Sequence, residues 1–236
     1  MTEIKGILFD KDGTLVDFQA TWFAIGDLMA LEAATGDRER ANQLLAAAGY
    51  DFANRRFRAD SVFAAGTNAD IVRLWYPQLE PAAQHAMVVH FDTVTASAGA
   101  SAAVALDGAQ AAVADLHKAG FRIGLATNDS TGGAEKTLLA LGIAQMFDAA
   151  YGYDAVANPK PAPDAVYAFA DLTGLKPSQI AMVGDNRHDL EMAKAAGAGL
   201  AVGVLSGTGT RETLLPLADV VLNSVVDLPA YLTVRV

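Results

Sequence analysis

The chain has 236 residues, 52% of them hydrophobic, enough for one large domain or for a domain carrying a smaller inserted one. A formal net charge of -10 without any block of Lys and Arg excludes the positive surface that a nucleic-acid partner requires. There is no cysteine, so disulfides, thiolate zinc sites and a cysteine nucleophile are excluded, and no apolar run approaches the ~20 residues that span a bilayer.

Met1 to Gly6 leads straight into a strand-like run and lacks the charged region and long apolar stretch of a signal peptide, so a cytoplasmic location is expected. The first predicted strand is Ile7-Leu8-Phe9. From Asp17 to Ala103 no strand is expected, only helices broken by Gly and Pro. Asp17 caps a helix whose Trp22, Ile25, Met29 and Ala33 share a side before Gly36. Asp37 starts another, with Ala41, Leu44, Leu45 and Ala48 inward. Thr67 or Asn68 caps Ile71 to Trp75, and Pro81 suits the first turn of the next helix. The Ala-rich stretch from Ala96 to Ala105 is read as a hinge. Trp22 and Trp75 are read as packing residues, and His188 as a surface turn residue.

Beyond Ala103, apolar runs at Ile123–Ala126, Ile180–Val183, Leu200–Val204 and Val220–Leu222 predict buried strands. Helical patterns lie between them. One ends at Gly120, one runs from Pro163 to Gly174, and one starts near Asp189 and ends at Gly197. This alternation predicts an α/β fold, a doubly wound, Rossmann-like parallel sheet, with an all-α insertion. The expected division is 1–16 and 104–236 for the sheet domain and 17–103 for the helical one.

Four short segments carry chemistry. Asp10 and Asp12 stand two apart at the end of the first strand, followed by Gly13, where ligands of open α/β sheets bind. Two carboxylates in different surroundings can divide the roles of nucleophile and proton carrier. After the second strand of the sheet domain, Thr127-Asn128-Asp129 offers hydroxyl, amide and backbone donors. Lys160 sits between Pro159 and Pro161, a point charge on a stiff loop. Asp185 and Asp189 follow a third strand, and hard carboxylate oxygens there suit magnesium. Taken singly, each segment reads equally as a turn, a helix cap or a solvated side chain.

Together and in this order, the four segments resemble the haloacid dehalogenase superfamily of phosphohydrolases. Gly184-Asp185-Asn186-Arg187-His188-Asp189 is most similar to the phosphoglycolate phosphatase-like branch. The resemblance implies that Asp10 attacks phosphorus and becomes an aspartyl phosphate, while Asp12 serves as acid and then base. It implies a Mg2+ ion held by Asp10, the backbone carbonyl of Asp12 and Asp185, with Asp189 beside it. Thr127, Asn128 and Lys160 would bind the phosphoryl group. The helical insertion would be a cap, and a small phosphorylated metabolite the partner, with no membrane or nucleic acid and a monomer or homodimer as the assembly. Within the cap, Arg55 and Arg58 are the candidates for a second anionic group on the substrate. The dehalogenases and phosphonate-cleaving members lack the second aspartate, so Asp12 favours phosphate esters. Two departures stand out: Lys11, where relatives carry an apolar residue, and Asp129, where phosphoglycolate-type relatives often carry Lys. Both are expected to alter charge at the pocket mouth. The rival readings are a phosphosugar mutase on the same scaffold and a non-catalytic binder of phosphate compounds.

Overall fold

The computed structural model describes residues 3–233, so Met1 and Thr2 of the leading segment and residues 234–236 of the sheet domain lie outside the described residues. β1 (Gly6–Phe9) comes first, followed by α1 (Phe18–Ala33), α2 (Arg38–Ala47), the short strands β2 (Tyr50–Asp51) and β3 (Arg56–Phe57), α3 (Val62–Ala65), α4 (Asn68–Trp75) and α5 (Pro81–Ala102). Helix and strand then alternate through α6 (Ala109–Lys118), β4 (Arg122–Ala126), α7 (Thr131–Ala140), β5 (Ala149–Tyr151), α8 (Asp164–Thr173) and β6 (Ile180–Gly184). The described chain closes with α9 (Arg187–Ala196), β7 (Leu200–Val204), α10 (Arg211–Leu214), β8 (Val220–Leu222) and α11 (Leu228–Thr233).

The six core strands pair in parallel in the order β5-β4-β1-β6-β7-β8. From β1 the chain winds outward to β5 on one side, then returns to build β6 to β8 on the other. That reversal opens a crevice at the carboxyl ends of β1, β4 and β6. Strand periodicity divides the side chains between two layers. Ile7, Phe9, Ile123, Leu125 and Val183 pack with Val113, Leu116 and Leu138 of α6 and α7. Leu8, Ala126, Ile180 and Met182 pack with Val166, Phe169 and Leu190 of α8 and α9 on the opposite face. Burial on both faces explains why these strands read as continuous apolar runs.

The segment between β1 and α6 has an apolar cluster of its own. Phe18, Trp22, Ile25 and Met29 of α1 meet Leu44 and Leu45 of α2, Phe57, Phe63, Trp75 and Phe91. The expected caps are in place: Asp17 accepts from the Ala20 N–H, Asp37 from those of Glu39 and Arg40, and Thr67 forms a capping box with Asp70.

Three expectations need correction. The insertion is not strand-free, because β2 and β3 form an antiparallel hairpin. β5 at the sheet edge had no counterpart among the predicted strands. The Ala-rich hinge is mostly helix, since α5 continues to Ala102. Alanine is the strongest helix former, so a run of small residues lengthens the helix and lets it lie against α7. The actual crossings sit side by side: the Asp17 N–H donates to the Val104 carbonyl at 2.8 Å, and the Leu106 N–H to the Leu15 carbonyl at 2.9 Å.

Candidate active site

The crevice is built by loops that leave three adjacent strands. Asp10 follows β1, and its N–H donates to the Val183 carbonyl of β6 at 2.8 Å, which ties the loop to the neighbouring strand. Asp185 follows β6. Asp189 lies in the first turn of α9, where its Oδ2 accepts from the Asn186 N–H at 3.0 Å and closes a capping box. The helix starts at Arg187, two residues earlier than expected, because Asn186 is the cap. Lys160 reaches in from the proline-rich loop and places Nζ 2.6 Å from Asp10 Oδ1 and 2.6 Å from Asp189 Oδ1.

Oxygens of Asp10, Asp185 and Asp189 lie within 4.8 Å of one another, and all three residues are buried. Among the described residues Lys160 is the only cation that pairs with them, so the group carries an excess of two negative charges when every carboxylate is ionised. Burial raises the Asp10 pKa to about 6, against the lowering pull of Lys160, and Asp189 adds to the rise. Burial, then Asp10 and Asp189, push Asp185 well above the usual carboxylate range. Burial alone would lower Lys160, but its two ion pairs outweigh that and raise it.

The loop from Ser206 to Thr210 completes this end. The Thr208 N–H donates to Asp185 Oδ2 at 2.6 Å, and Ser206 Oγ donates to the Gly13 carbonyl at 2.7 Å. Glycine is required here by close approach. A Cβ on Gly207 would stand 2.1 Å from Asp185 Oδ2, and one on Gly13, whose φ is +85°, 2.6 Å from the same carboxylate.

Asp12 is held differently. Its Oδ1 accepts from Trp22 Nε1 at 2.6 Å, and its Oδ2 lies 2.9 Å from Lys11 Nζ. The same ammonium lies 2.9 Å from Asp129 Oδ2 and 5.1 Å from the centre of the Trp22 ring. Burial raises Asp12, while Lys11 opposes the rise. Lys11 and Asp129, the two departures from the family pattern, are therefore one ion pair beneath the pocket. Lys11 is only 2% exposed and is not at the mouth.

A family model for haloacid dehalogenase-like hydrolases matches residues 4–197. The chain belongs to that family. Phosphoglycolate phosphatase of Shigella boydii (serotype 4, strain Sb227) is 32% identical over 235 residues, covering 96% of this chain and 91% of that protein. The enzyme of the same name from Escherichia coli strain K12 is 31% identical over 234 residues, with coverage of 96% and 91%. CbbY from Rhodobacter sphaeroides, solved in complex with phosphate, shares the fold at 23% identity, with a TM-score of 0.65 over 95% of this chain and 96% of that one. A haloacid dehalogenase-like family protein from Streptococcus pneumoniae does so at 21% identity, with a TM-score of 0.70 over 98% and 99%. This haloacid dehalogenase-like hydrolase is a phosphatase, similar throughout to the phosphoglycolate phosphatase-like branch.

In this hydrolase a pocket of about 60 Å³ lies between the crevice and the helical insertion. Asp10, Asp12, Thr127, Asn128, Lys160, Asp185 and Asp189 all line it. Thr127 Oγ1 accepts from the Asp129 N–H at 3.1 Å. Asn128 donates its amide to the Ala65 carbonyl at 2.7 Å and the Lys160 carbonyl at 3.2 Å, so its side chain clasps the insertion to the lysine loop. Arg55 and Arg58 are exposed and absent from the lining. Phe57 between them turns into the insertion's core, and strand alternation sends Arg56 and Arg58 the opposite way. Trp22 and His188 were undervalued by the sequence reading. Trp22 packs and also touches Asp12; His188 is half-buried in the pocket wall with Nδ1 3.2 Å from the Ala65 carbonyl. An aromatic at a core-like helical position gives no sign that its N–H reaches a loop ten residues away.

Proposed function

We propose that the chain hydrolyses small phosphate monoesters in a magnesium-dependent reaction through an aspartyl phosphate on Asp10, with residues 17–103 acting as a cap. The observation that carries this reading is the buried cluster of Asp10, Asp185 and Asp189 beside Lys160 at the carboxyl ends of the strands, two negative charges in excess when all three carboxylates are ionised. Uncompensated buried charge of this kind is costly, and hard oxygen donors match a small divalent cation. Asp10, Asp185 and Asp189, with the backbone carbonyl of Asp12, would hold Mg2+. When bound, the ion supplies charge neutralisation for the phosphoryl oxygens.

The chain's own groups account for the rest. An Asp10 oxygen forms a bond to phosphorus as the ester P–O bond breaks, and the departing alkoxide takes a proton from Asp12. Water then attacks phosphorus and gives its proton to the Asp12 carboxylate; the Asp10–phosphorus bond breaks and inorganic phosphate leaves. Lys160 orients Asp10 and offsets its charge. Asp12 must exchange Trp22 or Lys11 for the leaving oxygen, and an Asp12 raised by burial is suited to carrying a proton.

The test is phosphate release from a panel of monoesters with magnesium or with EDTA. 2-Phosphoglycolate, the substrate in the relatives' name, is the reference compound. Release that needs magnesium and falls by roughly 10³-fold or more in Asp10→Asn supports the reading. Equal release by Asp10→Asn would end it.

A further inference from the structure

The leaving-group half of the pocket is a question of charge, and the structure answers it in three ways. The insertion lines the pocket with the apolar or aromatic Phe18, Trp22, Phe63 and Ile71, the stretch from Ala64 to Gly66, and the neutral polar Thr67 and Asn68, with no charged side chain. The insertion's arginines, Arg38, Arg40, Arg55, Arg56, Arg58 and Arg73, are all exposed, and none lines the pocket. Arg38 pairs with Asp27 and Arg73 with Asp70. A second anionic group on a substrate would therefore meet no guanidinium from above.

From below it meets no spare positive charge. Asp12 and Asp129 both line the pocket and share a single cation, Lys11, which is buried and engaged by both. With Asp12 carrying the proton it passes to the leaving group the trio is neutral, and with Asp12 ionised it is negative by one, so Lys11 has no positive charge to spare in either state. Lys160 is committed to Asp10 and Asp189 at the phosphoryl end.

The neutral donors that the insertion brings to the pocket are engaged as well, whereas Asn186 Nδ2 of the sheet domain is buried there without a partner among the described residues. The amide of Asn68 donates to Asp92 Oδ1 at 2.8 Å and to Thr95 Oγ1 at 3.1 Å. The amino end of α4 reaches the pocket at Thr67, but the Asp70 carboxylate already accepts the Thr67 N–H at 2.8 Å and occupies that half-positive position.

We infer that, given the phosphatase reading above, the enzyme selects monoesters of small uncharged alcohols and discriminates against a carboxylate-bearing leaving group such as glycolate. Buried charge without a partner is disfavoured strongly enough to decide between otherwise matched substrates.

The experiment compares kcat/KM for 2-phosphoglycolate with that for ethyl phosphate and 2-hydroxyethyl phosphate, using full-length protein with saturating magnesium. The neutral esters are expected to be at least about tenfold better, with the difference mainly in KM. Ala64 lines the pocket wall on α3, and Ala64→Lys supplies the missing cation. It is expected to shift the ratio several-fold toward 2-phosphoglycolate. A parent enzyme that prefers 2-phosphoglycolate would overturn the inference and leave the phosphatase reading intact; loss of that preference in His188→Asn would then identify the counter-ion. Absence of Asp10-dependent release from every ester would overturn both.

Discussion

Replacing Lys11 with Met removes the one cation shared by Asp12 and Asp129 while keeping most of the side chain's bulk. Both Nζ···Oδ2 distances are 2.9 Å, and the Lys11 side chain is 2% exposed, with Asp12 at 15% and Asp129 at 5%. With an effective dielectric of about 20, each pair at that distance is worth roughly 6 kcal/mol of Coulomb attraction. Desolvation of the ammonium and the repulsion between the two carboxylates offset much of the sum, and breaking a buried pair from one side costs about 3–5 kcal/mol. For a chain of this size each kcal/mol moves Tm by roughly 2–4 °C, so Lys11→Met is expected to melt roughly 6–20 °C lower. The assay is thermal unfolding in EDTA of the parent, Lys11→Met, Asp129→Asn and the double variant. The double variant has one buried charge fewer than Lys11→Met, so its loss should be smaller than the sum of the single losses by about 2 kcal/mol or more. Additive effects, with Lys11→Met within about 0.5 kcal/mol of the parent, would refute the shared-cation account.

Other outcomes follow from the same geometry. Asp10 has a folded-state pKa of about 6 against 3.8 for the free group. It thus contributes stability that is full below about pH 3.8 and lost as pH rises through about 6. Bound magnesium removes that loss, so the gain in Tm on adding magnesium should widen between about pH 5 and pH 7.5; a gain that stays flat over this range would contradict the assignment of Asp10 to the metal. Asp185→Asn keeps an acceptor for the Thr208 N–H but relieves like-charge repulsion among the three carboxylates. It should raise the metal-free Tm, by roughly 1–2 kcal/mol of stability, and abolish the magnesium-induced shift in the same melting experiment. Gly207→Ala puts a methyl group against Asp185 Oδ2. A loss of roughly 10²-fold in kcat/KM is expected, with weaker apparent magnesium affinity in the activity titration and a much smaller change in Tm.

Residues that act through their own strand or cap were the ones a linear reading could recover. Ile7 to Phe9, Ile123 to Ala126 and Ile180 to Val183 are apolar because both faces of the sheet are covered. The acids that follow them stand out because they interrupt those runs. β5 escaped because Ala149-Ala150-Tyr151 is three residues long and half-buried, and its two alanines have little strand preference. The β2–β3 hairpin has two residues a side and lies below any periodicity. Arg55 and Arg58 drew notice as charge near a cap, whereas their direction is set by Phe57, a packing fact. Lys11 and Asp129 were each visible as departures, but they are 118 positions apart, and nothing local says that one compensates the other. Trp22 shows the same limit, because a core position at helical spacing does not reveal a second contact made by its edge.

The paired crossings between Leu15–Asp17 and Val104–Leu106 bear on ancestry as well as motion. The excursion leaves and re-enters the sheet domain at one doorway, with the two threads hydrogen-bonded to each other. A segment attached in this way can be lengthened, shortened or exchanged without rerouting a single strand, because a short turn could join its two ends. Under the function proposed above, the carboxylates that perform the chemistry belong to the sheet, and the wall that chooses the alcohol belongs to the excursion. Selection can therefore revise what is hydrolysed while leaving how it is hydrolysed untouched.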